Sequence, residues 1–207
     1  MRITRTANAG ILLQMDNISI LLDGVCGQIP PYCSTPNNLR NELTVNLPDI
    51  VAFTHYHLDH YDEQYAKAYE KLTSRNVVQP NNCDSLKVGN VFVQPFKSRH
   101  IGKNDVSHIS FIIKGSYCVW FLGDASPLSI KSVVGLPTPD VLVVPYAYAN
   151  TDSSFKLTRS FGAKHIVLLH MPLRENDAYG IYDDVKKTVQ GDSGVYIPEM
   201  GESLDLN

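Results

Sequence analysis

The apolar positions of this chain fall into short runs, and the residues that punctuate them predict what each run builds. In "GILLQMDNISILLD" two apolar segments flank Asp16-Asn17, a pair suited to a two-residue hairpin loop. "HISFIIKGSYCVWFLGD" repeats the design, with Gly115-Ser116 as its turn. Between the two hairpins, "DIVAFTH" is a continuous apolar run ending at His55, the pattern of a buried strand. Further strands are expected at "NVFVQPF", "DVLVVPY" and "HIVLLH".

Elsewhere the period lengthens. In "DEQYAKAYEKL", Tyr65, Tyr69 and Leu72 recur at helical spacing behind Asp62, which can cap the helix. Helices are also expected near 152–162 and over 176–189, the second interrupted by Gly180. Each half therefore runs through strands and then alternates strand with helix, which suggests sheets covered by helices. "VCGQIPPYCSTPNN", rich in Pro, Cys and Asn, reads as a long surface loop of the kind that often shapes a binding mouth.

Composition narrows the picture. A chain of 207 residues suits one domain, here 1–207, and is long enough to bury a real core. A net charge of -3 supplies no chain-wide cationic field, so neither nucleic acid nor an acidic membrane is an expected partner. Cys26, Cys33, Cys83 and Cys118 are scattered without a C-x-x-C pair, as free thiols of a reducing compartment would be. The first apolar run is too short for a signal-peptide core or a membrane span, so a cytoplasmic location is expected.

One stretch carries chemistry. "THYHLDH", residues 54–60, packs three of the chain's seven histidines and one aspartate between an apolar strand and a helix. Neutral imidazole is a common ligand for zinc and other transition metals, and four coordinating side chains within six residues, three imidazoles and a carboxylate, divide naturally between two ions. In an extended stretch His55 and His57 face one way, while Asp59 and His60 turn toward a neighbouring ion. The position after a strand and before a helix is where open α/β architectures place their sites. Other candidate donors also close β segments: His100 after "VQPFKSR", Asp124 beside Gly123 in "WFLGDAS", and His170 after "HIVLL". Taken alone, Asp124 also fits a helix cap. His108 in "DVSHISF" competes with His100, but falls within a predicted strand where it can pack internally; His165 is expected to be structural.

With these residues the chain resembles the metallo-β-lactamase superfamily over essentially its whole length. The family's H-x-H-x-D-H is present as His55, His57, Asp59 and His60, and its acidic residue after the first hairpin matches Asp23. Its remaining motifs match His100, Asp124 in "LGD" and His170. The opening "ANAGILLQMDNISILLD" is similar to the branch that includes ascorbate-phosphate lactonase. The resemblance implies an α/β (α+β) fold, a four-layer αββα sandwich. It also implies two divalent metal ions, with zinc expected and manganese or iron as alternatives. His55, His57 and His100 would hold one ion; Asp59, His60 and His170 would hold the other, with Asp124 bridging and Asp23 orienting a ligand from behind.

The implied activity is hydrolysis of an ester, lactone or phosphodiester by a hydroxide held at the dinuclear centre. Asp59, a bound water or a tyrosine would protonate the leaving group, and Tyr146 and Tyr148 in "VVPYAYAN" are candidates for the mouth. The alternatives are a di-iron redox protein on the same scaffold, in which a glutamate replaces the histidine at position 57, and a non-catalytic metal-binding protein. The expected partner is a small-molecule substrate. Lys97, Arg99 and Lys103 around His100, with Arg174 after His170, supply positive charge for an anionic one. If "VQPFKSRH" is extended, however, Lys97 and Arg99 point away from the face that bears His100.

Overall fold

The computed structural model describes residues 1–102, 105–133 and 135–207. The first half contains β1 (Arg2–Arg5), β2 (Ile11–Met15), β3 (Ile18–Leu22), α1 (Asn37–Val45), β4 (Ile50–Ala52) and α2 (Glu63–Thr73). The second contains β5 (Leu86–Val88), β6 (Val91–Lys97), β7 (Ile109–Lys114), β8 (Cys118–Phe121), α3 (Pro127–Lys131) and β9 (Val141–Pro145). It continues with α4 (Asp152–Arg159), β10 (His165–Leu169), α5 (Ile181–Thr188), β11 (Val195–Tyr196) and β12 (Ser203–Asp205).

These strands form two mixed sheets, β12-β1-β2-β3-β4 and β11-β10-β9-β8-β7-β6-β5. Alternation along the strands decides what lies between the layers. Ile20, Leu22, Ile50 and Ala52 from the first sheet meet Phe111, Phe121, Val143 and Val167 from the second in one buried cluster. The opposite faces serve the helices. Leu21 and Val51 pack with Tyr65, Ala66 and Tyr69 of α2, while Leu142, Ile166 and Leu168 pack with Ile130 of α3 and Val185 of α5. The result is a four-layer αββα sandwich.

Local chemistry explains the elements. Asp16 and Asn17 both adopt positive φ, 54° and 61°, as a two-residue primed hairpin turn requires. The second hairpin departs from the expected two-residue turn: Lys114 pairs with Cys118, leaving three residues, Gly115 to Tyr117. The longer tip lets the Ser116 N–H donate to Asp16 Oδ2 at 2.7 Å, so the two hairpin tips are joined across the sandwich. A Cβ on Gly115 would lie 2.4 Å from that carboxylate oxygen.

Asp62 caps α2 by accepting from Tyr65 N at 2.7 Å. Leu72 is exposed, contrary to the helical stripe; the inner face is Tyr65, Ala66 and Tyr69. Gly180 does not interrupt a helix. It stands at φ 68° just before α5, which is shorter than the expected segment. Helix α1 escapes the periodic pattern because Leu43 is its one buried side chain. All four cysteines are free thiols. Among the described residues, no helix is long and apolar enough to cross a membrane.

Strand β3 runs parallel to β4, and β8, β9 and β10 are mutually parallel. Their carboxyl ends carry Asp23, His55, Asp124, Tyr146 and His170.

Candidate metal centre

The site is assembled where those strand ends stop. Asp23 and His170 both adopt positive φ, 47° and 60°, a conformation that costs a non-glycine residue energy and re-aims its side chain. Gly123 shares it at 52°, and a Cβ there would lie 2.6 Å from the Thr54 side chain. The glycine before Asp124 thus lets the β8 end close against the start of the histidine-rich stretch.

Three of the imidazoles are oriented from behind. Thr54 Oγ1 donates its single proton to Asp23 Oδ2 at 2.6 Å, so its contact with His55 Nδ1 at 2.9 Å is one in which the imidazole donates. His60 Nδ1 donates to the same Asp23 oxygen at 2.8 Å, and His100 Nδ1 donates to the Ile101 carbonyl at 2.7 Å. In all three rings Nδ1 carries a proton, so that Nε2 is the nitrogen left to present a lone pair once the ring is neutral, as a metal ligand must be. His55 Nε2 lies 3.0 Å from His57 Nδ1. Asp124 Oδ2 stands 3.5 Å from His60 Nε2, 3.6 Å from His100 Nε2 and 3.5 Å from His170 Nε2. His170 Nε2 is also 3.2 Å from Asp59 Oδ2.

Two groups emerge whose donor atoms lie within 4.8 Å of one another: His55, His57 and His100, and Asp59, His60 and His170. Asp23, His55 and His60 also meet this distance, but the Asp23 oxygens already accept from Thr54 and His60. His60 Nε2, His100 Nε2, His170 Nε2 and Asp124 Oδ1 are buried without a hydrogen-bond partner among the described residues. Buried polar atoms are rarely left this way, and cations held in the two groups would give the three imidazole nitrogens partners. The donor set therefore fits two divalent ions.

Burial pushes the Asp124 carboxyl up, but the imidazoles of His170 and His60 outweigh it and hold the group well below the usual carboxylate range. Burial likewise raises Asp59, and the His170 and His60 side chains more than reverse it. His60 is disfavoured as a cation by burial, yet Asp124 and Asp23 lift its pKa well above the ordinary value. His55 is driven far down by burial and by the neighbouring His60. At Asp23, burial pushes the carboxyl up while hydrogen bonds from His60 and Thr54 pull it back.

A cavity of about 390 Å³ opens over the cluster, lined by His57, Asp59, His100, Asp124, His170 and Tyr146 together with apolar side chains. Tyr148, the other mouth candidate, is instead fully buried and donates its hydroxyl proton to Ala125 O at 2.8 Å. His108 lies just before β7, behind the site, with Nδ1 2.8 Å from Ser98 Oγ. Its ring sits 5.0 Å from that of His55, and burial lowers its pKa to about 3. His165 packs against Tyr196, away from the site. Lys97 and Arg99 are exposed, Arg174 stacks over the Tyr182 ring at 4.2 Å, and Lys103 lies outside the described residues.

Three contributors carried no periodic or motif signal. Asn8 is fully buried and donates from Nδ2 to Asp59 Oδ2 at 3.3 Å, while its carbonyl accepts from His170 N at 3.1 Å. Arg5, also buried, holds that loop by donating to the carbonyls of Ala7 and Asn8 at 3.2 and 3.3 Å. Tyr32, from the Pro-rich loop, meets the His170 ring edge-on at 4.1 Å. Burial, and then the Tyr146 phenol, push the Tyr32 hydroxyl above its ordinary range.

A two-sheet αββα sandwich with a histidine–aspartate cluster at the carboxyl ends of its strands is the architecture of the metallo-β-lactamase superfamily. The chain belongs to that superfamily: residues 2–167 match the family described as beta-lactamase superfamily domain. No curated protein matches the sequence. Among solved structures, a possible metal-dependent hydrolase from Veillonella parvula is 20% identical with a TM-score of 0.74, over 100% of this chain and 99% of the other. Isothiocyanate hydrolase from Delia radicum gut bacteria is 15% identical at 0.70, with the same coverage. Igni18, a metallo hydrolase from Ignicoccus hospitalis, is 17% identical at 0.67, again over 100% and 99%. At these identities the likeness is one of fold.

Proposed function

We propose that the protein is a metal-dependent hydrolase that uses two divalent ions, zinc in the first instance, to cleave an ester, lactone or phosphodiester. The observation that carries this reading is the convergence of buried His60 Nε2, His100 Nε2, His170 Nε2 and Asp124 Oδ1, all without a hydrogen-bond partner among the described residues, at a cavity that His100, His170 and Asp124 line. His55, His57 and His100 would hold one ion, Asp59, His60 and His170 the other, with Asp124 between them. Ions held there would acidify water and polarise the substrate oxygen. Superfamily membership supports the reading, and the three structural neighbours, alike in fold, are a possible metal-dependent hydrolase, an isothiocyanate hydrolase and a metallo hydrolase.

The chain's own groups do the rest. Asp59, facing the cavity beside His170, receives the proton released by water and returns it to the leaving oxygen. Tyr146 hydrogen-bonds the substrate at the opposite wall. The lactone option follows the likeness of the opening segment to the ascorbate-phosphate lactonase branch. Residues 1–207 act as one domain in this reading, since β12 completes the sheet that β1 begins.

The test is elemental analysis of protein purified without chelator, followed by turnover of esters, lactones and phosphodiesters before and after metal removal. Two equivalents of metal and chelator-sensitive hydrolysis are expected. Iron retained with oxygen consumption and no hydrolysis would overturn the reading, as would a metal-loaded protein without turnover.

A further inference from the structure

The cavity has two unlike surfaces. Its floor carries Asp59, Asp124 and the imidazoles, whereas its walls are Ile29, Tyr32, Ile101, Pro145, Tyr146 and Ala147. The apolar character continues to the rim, where Ile29 keeps 39% of its surface exposed. Apolar surface of this kind at a cavity mouth gains when a ligand covers it, by roughly 25 cal/mol per Å².

The wall is also fixed in place. Tyr32 N donates to Ile29 O at 2.7 Å, and Leu173 N donates to Pro31 O at 3.0 Å. Among the described residues, the basic side chains nearest in sequence are occupied elsewhere. Lys97 and Arg99 face solvent, and Arg174 stacks on Tyr182 beside a separate cavity. An ionised carboxylate or phosphate laid against these apolar walls would lose hydration without gaining an ionic partner among the described side chains of the walls.

We infer that the substrate is a small, uncharged carboxylic ester or lactone whose non-reacting part is apolar and sits between Ile29–Tyr32 and Tyr146–Ala147. The inference rests on the hydrolase reading above. Water's oxygen joins the acyl carbon, the acyl C–O bond breaks, and the leaving oxygen takes up a proton, giving an acid and an alcohol. A cavity near the lower end of the usual ligand-site range suits a substrate of this size.

Metal-loaded protein is to be assayed with p-nitrophenyl butyrate, p-nitrophenyl hemisuccinate and bis(p-nitrophenyl) phosphate. The first two share a leaving group and differ mainly by a terminal carboxylate. The butyrate is expected to exceed both others in kcat/KM by about tenfold or more, with the difference from the hemisuccinate residing in KM. Ile29→Lys, at an exposed wall position, should shrink the butyrate-to-hemisuccinate ratio by about fivefold with metal content unchanged. An equal or reversed preference, or a variant that leaves the ratio unmoved, overturns the inference.

If none of the three is turned over, the hydrolase reading fails, and the cavity is decided separately. Saturation-transfer NMR on the same metal-loaded protein would compare butyramide with succinamate. Stronger binding of the neutral amide, reduced by Ile29→Lys, supports an apolar site. Stronger binding of succinamate, or no effect of the substitution, overturns it.

Discussion

The two candidate ligand groups meet at Asp124 but are built from different material. His55, His57 and His100 form an all-imidazole trio backed by Thr54 and the Ile101 carbonyl, with His57 partly exposed at the cavity wall. Asp59, His60 and His170 include a carboxylate and are all buried. They are backed by Asp23, by the Asn8 side chain and backbone, and by the Tyr32 ring. The first trio offers an ion neutral nitrogen and solvent access. The second offers negative charge inside a braced pocket. A cation is therefore expected to be held more tightly by the second and to exchange more readily at the first.

The strongest way to break this comparison is Asp124→Ala, which removes the group that faces both trios. Both ions and hydrolysis should be lost together, by more than the ten- to hundredfold typical of an outer partner. Two retained equivalents in metal analysis, with full turnover, would remove its bridging role. Next comes His100→Ala, which should cost one ion and leave the second trio loaded. His108→Ala should keep both, because it belongs to neither donor group and does not line the cavity. The reverse pattern in stoichiometry would exchange the two roles.

Asp23→Asn sharpens the contrast from below. Asp23 accepts from Thr54 N, Thr54 Oγ1 and His60 Nδ1, and an amide has one acceptor oxygen for these three donors. Metal affinity should fall by about ten- to a hundredfold. The effect should be greater at His60, which loses its direct partner, than at His55, reached through Thr54. Two cobalt titrations, wild type and variant, would show whether both sites move. The smallest effect is expected from Asn8→Ala, which releases Asp59 alone: about tenfold weaker binding at the second site with the first unchanged. Equal weakening at both sites would mean that Asn8 acts on the fold and not on Asp59.

Much of this centre could be read before any coordinates. The cluster at 54–60 and the candidate donors Asp124 and His170 stand where apolar runs stop, and His100 closes the segment "VQPFKSRH". The hairpin at Asp16-Asn17 and the cap at Asp62 announced themselves by residue type, because φ preference and a short carboxylate act locally. The exposed Leu72, the buried Tyr148 and the three-residue tip at Gly115 to Tyr117 did not, because each depends on a neighbour distant in sequence.

The chain by itself thus determined which side chains are fit to bind a cation and that they stand at strand ends, since both follow from residue chemistry and period. Tertiary structure alone decided that Asn8 reaches across to Asp59, that Asp23 serves two histidines through one oxygen, and that Arg174 turns to Tyr182 instead of the cavity. Those contacts join residues from separate loops, and their directions are set by how two sheets pack, which no local pattern encodes.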